Sequence, residues 1–146
     1  VIDLTSMRRM SVKHCLDTSA QKLIAFLDKN RIEERFHFPF SYSFPRNCCE
    51  GVSLIFRYLA FDKYGLDVEV LRGRKRNHET HFWNLTSGGL IYDLTCSQFP
   101  RTKPVIGLLT SPTWNRFSHD VKVYSNEWHV ERTEVIAAYR DGVIPF

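Results

Sequence analysis

The stretch Cys48–Tyr64, CCEGVSLIFRYLAFDKY, leaves few folds open. Val52, Ile55, Tyr58 and Leu59 recur at helical spacing and form one stripe, with Phe56 and Ala60 beside it. A helix that is apolar over so much of its circumference has to be buried on most sides. It needs a sheet or further helices around it. Gly65 stands where the left-handed residue of a helix end is expected.

The segments on either side suggest what those neighbours are. Leu23, Ile24, Phe26 and Leu27 predict a helix over 17–32, with Asp17-Thr18-Ser19 offering caps. Phe36–Pro45, FHFPFSYSFP, places two prolines among aromatics and reads as an ordered, non-helical approach. Downstream, Leu66, Val68 and Val70 alternate with Asp67 and Glu69, a strand pattern. Thr80–Thr86 and Leu90–Leu94 form a hairpin around Ser87-Gly88-Gly89. From Phe99 to about Asp120 the chain is expected to be irregular and to wall a cleft. Glu131–Arg140 closes as a helix, with Gly142 beyond it. Helices first and a meander afterwards argue for an α+β domain with N-terminal helices packed on an antiparallel sheet.

The length, 146 residues, suits a single domain, 1–146, with a real core. Eleven Phe and six Tyr make that core aromatic-rich. Twenty basic against sixteen acidic residues is not a nucleic-acid footprint by itself. The densest basic run, Arg72–Arg76 (RGRKR), reads as a solvated loop or as a contact for an acidic partner. No apolar window is long enough to suggest a membrane span. The chain starts at Val1, which suggests a fragment or a processed form, such as a domain cut from a cytoplasmic protein or from a secreted effector. Four cysteines (15, 48, 49 and 96) do not make a disulfide scaffold, and neighbouring cysteines rarely bridge, so all four are expected to be reduced. Asn84-Leu85-Thr86 matches a glycosylation acceptor but falls inside a strand, where it reads as chance.

A thiol nucleophile needs a stabilised thiolate, a base and a group that orients the base. The start of the buried helix supplies free N–H groups, and either Cys48 or Cys49 sits there. Of the six histidines, His14, His37, His119 and His129 lie in segments with no supporting arrangement, and His78 precedes the strand. His81 alternates with Trp83 and Leu85 and so faces the apolar side. Asp93 also lies among apolar residues, where a carboxylate requires a partner. Hairpin register decides whether they meet. A two-residue loop would put them on opposite faces. A three-residue loop pairs Thr86 with Leu90 and Trp83 with Asp93, making His81 and Asp93 diagonal neighbours.

The order of helix-start cysteine, strand histidine and next-strand aspartate resembles the papain-like fold in its transglutaminase-type arrangement. FPRNCCEGVSLIF, HFW and IYDLTCSQF together resemble the YunG-like family of small bacterial and phage papain-fold proteins. The likeness covers Phe44–Phe99, some two-fifths of the chain. It implies Cys49 as nucleophile, His81 as base and Asp93 as orienter. Asn47 departs from the pattern's glycine, and Cys48 fills a variable position. Cys48 also continues the Val52–Ile55–Leu59 stripe, which marks it as a packing thiol. For support, the backbone N–H of Cys49 together with Asn47 or Tyr42 are candidate oxyanion donors. Gln98 is a candidate prop for the triad or its turn, and Trp83 is a core residue able to shield the His81–Asp93 bond. Cys15 and Cys96 read as packing residues.

The resemblance implies a cysteine hydrolase or acyltransferase acting on amides or thioesters of a protein or peptide, with no cofactor. Water as acceptor gives a peptidase, amidase or glutamine deamidase. An amine gives a transglutaminase-like transfer. One rival is a zinc site of Cys48, Cys49, His78 and His81, although adjacent cysteines fit one tetrahedron poorly. The other is an inactive papain-fold binding module that contacts a protein partner through RGRKR.

Overall fold

The computed structural model describes residues 4–126 and 130–146, and His129 lies outside them. Helix α1 spans Leu4–Glu33. It starts well before the expected cap at Asp17, because tertiary partners satisfy the would-be capping residues in mid-helix. Asp17 accepts hydrogen bonds from Tyr92 Oη (2.6 Å) and Lys13 Nζ (2.5 Å). Ser19 pairs with Tyr64 Oη at 2.6 Å. The approach segment contains a short 3₁₀ turn at Ser41–Ser43. Helix α2 spans Cys49–Tyr64, one residue inside the expected start. Gly65 ends it in the left-handed conformation (φ 66°), its N–H directed at the carbonyls of Ala60 and Phe61.

Five strands follow: β1 Val68–Arg74, β2 Thr80–Thr86, β3 Ile91–Asp93, β4 Val105–Leu108 and β5 Asp120–Tyr124. They form one antiparallel sheet in the order β4-β3-β2-β1-β5. The domain is α+β, as the element order suggested. Helices α3, Pro112–Arg116, and α4, Arg132–Arg140, complete it. Two expectations need correction. Arg72, Gly73 and Arg74 belong to β1, so only the end of RGRKR is a turn. The 99–120 segment is not irregular: β4 pairs with β3, and α3 lies against the sheet.

The sheet separates two cores. On one side α1 and α2 close over Val68, Val70 and Tyr92, with Phe56 of α2 stacked on Tyr92 at 5.0 Å. On the other side a smaller core holds Leu71, Trp83, Ile91, Val105 and Phe117. Gly73 belongs to that smaller side. A Cβ there would lie 2.4 Å from Trp83 Cη2, so only glycine lets the indole lie flat against β1.

The β2–β3 hairpin has the register of a three-residue loop. Leu85 pairs with Ile91 and Asn84 with Tyr92, and Thr86 N donates to Leu90 O at 2.9 Å. Gly89 supplies the left-handed residue (φ 82°). Trp83 therefore opposes Asp93, and His81 and Asp93 share a face.

Candidate active site

Cys49 occupies the first turn of α2, where backbone N–H groups have no helical partner. The turn into it passes through Asn47, whose φ of 60° is open to glycine and, next best, to asparagine. Cys48 is the residue before the helix and is 2% exposed. Burial, aided by the neighbouring Cys49 charge and opposed by a backbone hydrogen bond, pushes its thiol up to about 12. The two neighbours thus differ in setting: Cys48 is packed in the core and Cys49 is half-buried.

His81 and Asp93 are each 1% exposed. His81 Nε2 donates to Asp93 Oδ2 at 2.7 Å. The ring lies among Phe99 (5.0 Å, edge-on), Phe117 (5.3 Å) and Trp83 (5.9 Å, stacked). Burial alone would disfavour the charged ring. The Asp93 hydrogen bond, an interaction with the Cys49 side chain and the charges of both outweigh it. The net effect raises the imidazole to about 9. With Nε2 engaged by Asp93, Nδ1 is the nitrogen left for the thiol. Gln98 Nε2 lies 3.5 Å from Nδ1 and 3.4 Å from Thr95 Oγ1.

Asp93 is held on both oxygens. Oδ2 also accepts from Thr113 Oγ1 at 2.7 Å. Oδ1 accepts from Thr95 N (3.3 Å) and Thr95 Oγ1 (3.4 Å). Four donor atoms, His81 Nε2, Thr113 Oγ1, Thr95 N and Thr95 Oγ1, thus converge on the carboxylate.

Cys49, His81, Asp93, Gln98 and Trp83 come together. Asn47 and Tyr42 are exposed on the loop before α2, and neither hydrogen-bonds to Cys49, His81 or Asp93. Trp83 is fully buried, and its Nε1 has no hydrogen-bond partner among the described residues. Cys96 is a buried packing thiol, raised to about 11 chiefly by burial. Cys15 is corrected: it lies on the exposed side of α1 and packs into no core. His14, His37, His78 and His119 are exposed. Among the described residues, no group of three or more His, Cys, Asp or Glu side chains is arranged to hold a metal ion.

Sequence reasoning missed Thr95, Ser111, Thr113 and Phe117. One signal was available. Ser111-Pro112 is a helix start, with serine capping (its Oγ accepts from Thr113 N at 3.3 Å) and proline in the first turn. No protein-family model, curated protein or solved structure matches the chain.

Proposed function

We propose that this chain is a cysteine-dependent hydrolase or acyltransferase of papain-like, transglutaminase-type arrangement, acting on an amide or peptide bond. The observation that carries the reading is the buried 2.7 Å bond from His81 Nε2 to Asp93 Oδ2, with Cys49 at the helix start interacting with the same ring. A histidine and a carboxylate sealed from water among aromatics have a ready role in moving a proton to and from a neighbouring thiol.

In this reading the Cys49 thiolate, paired with the protonated His81, attacks the carbonyl carbon. The N–H groups at the start of α2 bind the oxyanion, and the Gln98 amide lies beside His81 Nδ1. Collapse breaks the C–N bond, and His81 returns the proton to the leaving nitrogen. The resulting thioester is released by water or by an amine, with His81 taking the acceptor's proton. Asp93 holds the ring so that Nδ1 faces the sulfur.

Exposed Cys15 provides an internal reference for a test. Iodoacetamide labelling near neutral pH, mapped by mass spectrometry, should modify Cys49 before Cys15 and leave Cys48 and Cys96 unlabelled. Cys49→Ala should remove the fast phase and Cys48→Ala should keep it. If Cys48→Ala removes it, the nucleophile is misassigned. If Cys49 reacts no faster than Cys15, the chain is a binding module and not a thiol enzyme.

A further inference from the structure

We propose that Thr113 is the positioning residue of the Cys49–His81–Asp93 centre, fixing the carboxylate through which α3 holds the imidazole. This rests on the reading of Asp93 as the group that orients His81.

Thr113 is fully buried, twenty residues from Asp93 in sequence, and on an element whose Trp114 packs against the smaller core. Its Oγ1 lies 2.7 Å from Asp93 Oδ2 and 2.7 Å from Ser111 Oγ. A hydroxyl has one proton and an ionised carboxylate has none. Thr113 therefore donates to Asp93, and Ser111 donates to Thr113. The chain of donors runs one way, Ser111 to Thr113 to Asp93, and ends on the oxygen that His81 also uses. The two short bonds, from His81 and Thr113, converge on Oδ2, while the two to Oδ1 are 3.3 and 3.4 Å. Rotation of the carboxylate is thus opposed mainly at Oδ2, and Thr113 is the partner there that takes no part in proton transfer. The same short segment bears Trp114 against Trp83 (ring centroids 5.6 Å apart) and Phe117 against His81 (5.3 Å). Its position is tied to the ring and to the carboxylate at once. Removing the Thr113 hydroxyl leaves a buried oxygen one donor short and frees the carboxylate to turn away from Nε2.

The test uses the full chain carrying Thr113→Val, Thr113→Ser, Ser111→Ala or Asp93→Asn. Two readouts are taken: the rate of iodoacetamide labelling at Cys49 and the NMR titration of the His81 Cε1 proton. Thr113→Val should slow labelling about tenfold near neutral pH and lower the His81 midpoint by about one pH unit, the effect of losing one ordinary hydrogen bond. Thr113→Ser, which keeps the hydroxyl, should keep both values. If Thr113→Val does not fold, Ser111→Ala reports on the same chain from one step further away, with smaller changes in the same directions. A folded Thr113→Val or Ser111→Ala protein with wild-type rate and midpoint overturns the proposal. If Asp93→Asn also leaves both unchanged, it is the role of Asp93 that fails, and Thr113 falls with it.

Discussion

The two sides of the sheet are built on different principles. The α1–α2 side is closed by hydrocarbon and aromatic packing, with Leu23, Leu54, Ile55 and Leu59 inaccessible to water. The α3 side is a thin layer that buries His81, Asp93, Thr95, Ser111 and Thr113 among a few aromatics. The first side stabilises by removing apolar surface from water, which is non-directional and tolerant of detail. The second depends on every donor finding its acceptor, which is directional and fails locally. Cys49 stands at the end of the helix that belongs to the first side and reaches a ring that belongs to the second.

Three measurements bear on that contrast. The largest effect is expected on the helical side. Leu59→Ala should cost about 3–4 kcal/mol in urea unfolding, the usual penalty for a fully buried leucine. Labelling of Cys49 in the molecules that remain folded should be unchanged. A loss of labelling would mean that the two sides are coupled.

The second effect is a pH dependence confined to the α3 side. The His81 proton is held more tightly in the folded chain (about 9, against an ordinary value of 6.5). The folded state binds more protons than the unfolded state between these values. The stabilisation is therefore complete below pH 6.5 and is lost as pH rises through about 9. Within the window stability should fall by up to about 1.4 kcal/mol per pH unit. His81→Gln should flatten the curve there. A wild-type curve already flat over this range would show that the ring is not charged in the fold.

The smallest effect concerns Trp83, whose buried Nε1 has no partner among the described residues. Trp83→Phe removes that unsatisfied donor and leaves a small void. The two effects oppose each other, and net stability should change by about 1 kcal/mol or less. A loss well above this in thermal unfolding would reveal a bound water or partner at Nε1.

The legible parts of the fold share one property: neighbours in sequence determine them. Helix α2 followed from the spacing of Val52, Ile55 and Leu59. The hairpin register followed from Ser87-Gly88-Gly89, because loop length and a left-handed glycine fix which residues oppose each other. With the observed three-residue register, His81 and Asp93 fall on one face. The parts that were not legible depend on remote partners. The first turns of α1 carry mixed polar residues, and the capping preference of Asp17 is overridden by Tyr92. Strand β4 has only four residues, with Gly107 inside it, and exists through its pairing with β3.

By itself the sequence determined a buried helix with a cysteine at its start and a hairpin whose three-residue loop register would set a histidine beside an aspartate. Periodicity and turn chemistry are local, and they act before the chain is packed. Only the tertiary structure decided that α3 closes over the ring and that Thr113 donates to the aspartate's Oδ2. These depend on where the sheet and its covering segments come to rest, and hydrogen bonds between residues far apart in sequence have no signature in local spacing.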